Sequence, residues 1–160
     1  MVKSVLPKNK KIALLLPVML MASVSLCFVA DMTDQDWLNW GNKCLMQSFD
    51  QTSDAKIKKW ELALTDDSFI RLRKTYQNGK QEYFSFHLHS LQDMDYLGTV
   101  NTGTLQLKAK GEDIIVQTYN DKKGNVDSMA TVLSIPVKNM EPERLDSLQH
   151  ALLYFKSKGL

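Results

Sequence analysis

Residues 69–89 read FIRLRKTYQNGKQEYFSFHLH, and their periodicity decides the architecture. Phe84, Phe86 and Leu88 fall on one side of an extended chain, and Tyr83, Ser85, His87 and His89 fall on the other. A period of two is the mark of a strand with one face buried. Between this run and Phe69–Tyr76 stand Gln77-Asn78-Gly79-Lys80. Asn-Gly readily adopts the positive φ angles of a type I′ turn, so the stretch is predicted to be a tight antiparallel hairpin.

Further strands follow on both sides. Trp60, Leu62 and Leu64 alternate with Glu61 and Ala63. Downstream, Tyr96–Val100 and Thr104–Ala109 are joined by NTGT, and Lys110-Gly111-Glu112 turns into DIIVQTY. NDKKGN then turns into VDSMATVLSIPV. Each connection is short and polar. Parallel neighbours need a crossover of about a dozen residues or more, so six to seven strands are expected to form an antiparallel meander.

A helix brackets the strands at each end. Thr33 precedes DQDWLNWGNKCLMQSF, where Trp37, Trp40, Cys44, Leu45 and Phe49 recur near helical spacing, and Asp34 and Asp36 suit the first turn. The second helix begins at Pro142, with Asn139 or Met140 near its cap. Leu145, Leu148, Leu152 and Phe155 line one stripe, and Lys156, Lys158 and Gly159 mark its end. That stripe must pack on something, and one face of the meander is available. The expected class is α+β: a single domain over residues 31–160.

The first thirty residues read differently. Lys3, Lys8, Lys10 and Lys11 precede nineteen uncharged residues, Ile12–Ala30. A basic segment followed by an apolar run is the pattern of a secretory signal, with cleavage expected after about Ser25 or after Ala30. Two other fates compete. The run reaches the length of a membrane-spanning helix and would serve as an uncleaved signal anchor. Val24-Ser25-Leu26-Cys27 also approaches a bacterial lipidation motif at Cys27, although Leu26 stands where a small residue is wanted. All three fates carry the rest of the chain out of the cytoplasm, to the periplasm or the medium, with membrane contact only through residues 1–30.

Removing those residues takes away four of the 20 basic residues and none of the 18 acidic ones, so a net charge of +2 becomes −2. A near-neutral body supplies no concentrated basic face, and nucleic acid is not expected as a partner. Two cysteines are too few for a disulfide framework, although Cys27 and Cys44 would be able to pair if cleavage left both. Otherwise Cys44 reads as a small core residue on an apolar helix face. No Asn-x-Ser/Thr acceptor occurs in the chain.

His87-Leu88-His89 is the sharpest chemical feature, because two imidazoles at i and i+2 on a strand point the same way. Asp93, Asp95 or His150 would have to supply the third protein ligand that a catalytic zinc normally takes. Without such a set, the histidines read as polar residues on the open sheet face, and neither a metal nor another cofactor is expected. Asp66-Asp67, and Asp93 with Asp95, read as turn residues. Asp121–Asp127 lacks the alternating oxygen ligands of a calcium loop. There is no G-x-S-x-G elbow and no phosphate-cradling loop.

Function is therefore expected in binding rather than in catalysis. The leading expectation is an exported, non-enzymatic envelope module that recognises a macromolecular partner, in outline like small inhibitors and immunity proteins. The candidate binding residues are Trp37, Trp40, Tyr83, His87 and His89. Trp37 and Trp40 are alternatively a core pair. The tips at Asn78-Gly79, Asn101–Thr104 and Asp121–Asn125 are natural places for contacts. A second expectation is a carrier holding a small apolar ligand among Phe84, Phe86, Leu88, Leu152 and Phe155. The third is a metal-dependent hydrolase centred on His87 and His89.

Overall fold

The structure, a computed structural model, describes residues 32–158. The leader, its cleavage sites and Cys27 lie outside the described residues. From Thr33 onward the chain is an α+β fold of two helices and eight antiparallel strands in two sheets. Helix α1 spans Asp34–Ser48. The strands are β1 (Ile57–Leu64), β2 (Phe69–Tyr76), β3 (Gln81–His87), β4 (Leu91–Gly98), β5 (Thr102–Ala109), β6 (Ile114–Tyr119), β7 (Asp127–Ala130) and β8 (Val132–Lys138). Helix α2 spans Pro142–Lys158.

The expected meander is divided. One sheet has the order β1-β2-β3-β6-β7 and the other the order β4-β5-β8. The chain changes sheet between β3 and β4, between β5 and β6, and between β7 and β8. The last change falls at Thr131, which splits the single strand expected over 126–137 and raises the count to eight. The carbonyl of Thr131 accepts from Ala109 N–H at 2.8 Å. β4 begins at Leu91, earlier than its expected start at Tyr96, and places Asp93 and Asp95 on a strand rather than in a turn. An ion pair across the ladder explains this: Lys108 on β5, directly opposite Asp93, reaches diagonally to Asp95.

The central hairpin keeps its expected strands but not its expected turn. Gly79 N–H donates to Tyr76 O at 3.0 Å, and Gly79 alone in the loop has a positive φ, +86°. Type I′ needs two such residues. Here Asn78 stays at negative φ and its side-chain oxygen accepts Lys80 N–H at 3.0 Å, which gives the form in which a glycine follows an ordinary turn. At the other end, β3 stops at His87, because Leu88–Ser90 form a short 3₁₀ turn that carries the chain into the second sheet.

Both sheets and both helices bury one common core. Leu62, Leu64, Ile70, Leu72, Phe86 and Ile114 come from one sheet; Leu105, Leu107, Leu133, Ile135 and Val137 come from the other. The helices add Cys44, Leu45, Leu148, Leu152 and Phe155, so α2 packs where its apolar stripe requires. Thr33 and Asp36 form a reciprocal cap that satisfies the first free amides of α1. The helices are tied at their ends, where the Asp34 carboxylate meets both the Tyr154 hydroxyl and the Lys158 ammonium.

Two strand edges are closed locally. On the outer side of β1, the Asn42 side chain accepts Leu64 N–H at 2.9 Å and donates to Leu64 O at 2.7 Å. On β8, Phe49 forms a bridge to Val137, and Asp50 N–H donates to Pro136 O at 2.9 Å. Proline is tolerated there because an edge strand has N–H positions that need no ladder partner. Gly98 and Gly103 face each other across β4 and β5. A methyl on Gly98, whose φ is +152°, would lie 2.4 Å from Gly103 Cα, and one on Gly103 would lie 2.4 Å from the Tyr96 hydroxyl.

Phe86 is 0% exposed at the centre of this core and Leu97 is 58% exposed on β4. Phe86→Ala is expected to lower stability by about 3–5 kcal/mol, and Leu97→Ala by no more than about 0.5 kcal/mol. Urea unfolding of the two variants checks this.

Candidate functional site

Register on the five-stranded sheet assigns every residue to a face. β2 pairs with β3 as Ile70↔Phe86 and Leu72↔Phe84 on the core side. On the other side the pairs are Phe69↔His87, Arg71↔Ser85 and Arg73↔Tyr83. β6 continues that outer face with Ile115, Gln117 and Tyr119, and β7 with Asp127 and Met129. No residue of the outer face belongs to the core cluster. Arg73, Ile115, Tyr119, Asp127 and Met129 are exposed, Phe69, Arg71, Tyr83, His87 and Gln117 are half-buried, and Ser85 is buried at 6%.

The outer face joins cations to aromatic rings. The Arg73 guanidinium lies 5.6 Å from the Tyr83 ring centre and that of Arg71 lies 5.1 Å from Phe69, distances at which a cation is attracted to a ring face. Arg71 also pairs with Asp67 at 3.1 Å. No ion pair of Arg73 occurs among the described residues. A shallow depression of about 280 Å³ runs between Glu61, Ala63, Arg71, Arg73 and Tyr83.

A larger cleft, about 650 Å³, opens at the end of the same sheet. The tip of the β2–β3 hairpin and the loop after β6 meet there, so two of the three expected contact tips share one site. Lys80 bridges Glu82 at 3.1 Å and Asp121 at 3.0 Å, while the Tyr76 hydroxyl donates to Glu82 at 2.7 Å. Its other walls include Asp54, Lys56, Gln77, Asn78 and Lys123. The Lys80 ammonium is held protonated above the usual lysine range, chiefly by its hydrogen bonds to Asp121 and Glu82. The Asp121 carboxyl is held below its ordinary value, first by Lys123 N–H and then by Lys80. Burial, and then the bond to Glu82, push the Tyr76 phenol upward. Sequence reading missed this network because Lys80 and Asp121 lie in separate turns that only the fold brings together.

The named candidates divide between surface and core. Tyr83 and His87 lie on the outer face, as their alternation requires. His89 lies in the 3₁₀ turn, not on the strand, yet its ring still meets that of His87. The ring centres are 4.5 Å apart and the two Nδ1 atoms are in contact. Trp37 is half-buried and stacked on Tyr154 with centres 5.8 Å apart, and Trp40 is half-buried against the core. Trp40 also borders a cleft of about 480 Å³ with Lys43, Cys44 and Arg144.

Cys44 itself is 4% exposed, and burial pushes its thiol up, away from a reactive thiolate. Phe86, Leu88, Leu152 and Phe155 are each at most 2% exposed within the shared core, and Phe84 packs against it. Asp95 is engaged with Lys108, and His150 lies on α2 at 3.7 Å from Asp146. Among the described residues, no three His, Cys, Asp or Glu side chains gather as a metal set, and no helix is long and apolar enough to cross a membrane. Comparison with protein-family models, curated proteins and solved structures finds no match.

The direction of these shifts sets a pH window for the cleft. Asp121 is depressed on folding, so its contribution is present above the ordinary carboxylate pKa of about 3.9 and is lost as pH falls through the folded value. Lys80 is raised, so its contribution is present below the ordinary lysine pKa of about 10.4 and is lost as pH rises through the folded value. Lys80→Met is expected to move the Asp121 titration only partway back up, since Lys123 N–H remains. Carboxyl-carbon NMR through the acid range reads this directly.

Proposed function

We propose that this chain is an exported, non-enzymatic binding module of a bacterial envelope. Its recognition surface for a protein partner is the outer face of the five-stranded sheet together with the adjoining hairpin-tip cleft. One observation carries the reading. An entire sheet face remains outside the core, and it presents arginine, tyrosine and methionine, the residue types enriched where proteins meet. Arg73 brings a guanidinium without an ion pair among the described residues, already aligned over Tyr83, so the surface suits a partner with exposed carboxylates.

The side chains on this face are also poised at low entropic cost. Arg71 and Arg73 project from a paired central strand, and both sit against rings that restrict their rotamers. A protein docking there loses less freedom than it would on a mobile loop. The lysine-rich start and apolar run of residues 1–30 support the export half of the proposal.

A photo-crosslinking amino acid at position 83 is expected to trap a discrete partner in envelope preparations, and Arg73→Glu in the same chain is expected to abolish the adduct. The same probe at Ser134, exposed on the other sheet, serves as the control. Equal crosslinking from both positions, or indifference to Arg73→Glu, would overturn the assignment of the surface. Export is read separately by fusing residues 1–31 to a reporter enzyme that folds only outside the cytoplasm. Activity is expected, and a reporter silent in intact cells would remove the export half.

A further inference from the structure

We infer that the free edge of β7 takes an extended peptide segment of a partner as a sixth, antiparallel strand. The segment carries an apolar residue beside Met129 and a basic residue beside Asp127. The main chain of β7 supports this inference, and Arg73 has no part in it.

The four sheet edges are not equivalent. Asn42 closes β1 at Leu64, and Phe49 and Asp50 close β8. On β4, Thr99 N–H donates to Thr102 O at 2.9 Å. Alternation along that ladder directs the main-chain groups of Met94, Tyr96 and Gly98 outward, and the Asp93 carboxylate accepts Met94 N–H at 2.9 Å. β7 has no such closure. Thr118 N–H donates to Val126 O at 2.9 Å, and Val126 N–H donates to Thr118 Oγ1 at 2.7 Å. The same alternation makes Ser128 and Ala130 exchange bonds with Val116 and Ile114 of β6. Asp127 and Met129 therefore turn their N–H and C=O groups away from the sheet. Among the described residues nothing bonds to these four groups, and both residues are exposed. One antiparallel strand would satisfy all four.

The side chains at this edge state what the added strand should carry. Met129 lies beside Ile115 across the ladder, and both are exposed on the outer face. Ile115, Tyr119, Val126, Met129 and Val132 make up five of the ten large apolar side chains exposed among the described residues. Apolar surface is thus concentrated at this edge. Asp127, two residues before Met129 on the same face, accepts Gln117 Nε2–H at 3.2 Å and has no cationic partner among the described residues. Residues directly opposite on an antiparallel pair share a face, so the complement is an apolar residue followed two positions later by lysine or arginine. A second copy fits less well. Two-fold pairing of β7 with itself sets Asp127 opposite Asp127, Met129 or Thr131 of the other copy, and none of these is a cation. This is strand addition, in which the main chain supplies the binding and alternate side chains the selectivity.

The test titrates the ¹⁵N-labelled full chain with the peptide acetyl-Thr-Val-Thr-Lys-Thr-amide into the millimolar range. The amide signals of Asp127 and Met129 are expected to shift, with cross-strand proton contacts from valine to Met129 and from lysine to Asp127. Methylating the valine and lysine nitrogens of the peptide is expected to abolish binding, because those N–H groups face β7. Methylating the central threonine nitrogen, which faces away, should leave it intact. Asp127→Lys is expected to weaken the peptide at least about twofold, and a glutamate in place of the peptide lysine to restore binding to that variant. Arg73→Glu should leave peptide binding unchanged, which separates this edge from the surface proposed above. Silent Asp127 and Met129 amides, shifts confined to β4, or equal binding of the doubly methylated peptide would overturn the inference. Shifts at β7 that follow protein concentration without peptide would overturn it in favour of a second copy.

Discussion

Everything else in this molecule depends on one constraint: two sheets with separate hydrogen-bond networks must fill a single apolar interior. Neither sheet closes by itself, and a three-stranded sheet such as β4-β5-β8 exposes too much backbone and too little buried surface to stand alone. Leu105, Leu107 and Ile135 from that sheet therefore share a core with Leu72, Phe86 and Ile114 from the other. The three passages between sheets are short, so the sheets cannot drift apart without unfolding. The two helices complete the closure, and the outer faces become free to carry other chemistry.

That division of labour sets how much could be read from sequence. The hairpin of β2 and β3 was legible because Phe84, Phe86 and Leu88 keep strict alternation with polar neighbours and a glycine stands at the bend. Both helices were legible from their caps and stripes. The split into two sheets was not. At the passage from β7 to β8, Met129, Ala130, Val132 and Leu133 are all apolar, so the change of phase at Thr131 leaves no mark in the pattern. The charges of Asp93 and Asp95 likewise resembled turn residues, since an acidic side chain on an edge strand is explained only by its cross-strand neighbour Lys108.

The candidate surface was half visible for the same reason. Parity alone puts Tyr83 and His87 on the face opposite Phe86, and it would have put Arg71 and Arg73 opposite Leu72. Which of these residues meet is a matter of register, and register is set by pairings that a linear reading does not contain. Trp37 and Trp40 were ambiguous between surface and interior, and the fold places both partway, one stacked on Tyr154 and the other at the rim of a cleft. The Tyr76–Glu82–Lys80–Asp121 network needed two turns to be adjacent, which only the order β3-β6 provides.

The Asn42 amide on the outer side of β1 has a consequence beyond local stability. A terminal strand with free amides and carbonyls is a template on which another chain can stack, and repeated stacking leads to fibrils. By both donating to and accepting from Leu64, one planar side chain imitates a ninth strand over the length of a single residue. It thereby interrupts the template at a point where an incoming backbone would need continuous pairing. A helix residue, not a strand residue, thus guards this rim of the sheet against self-association.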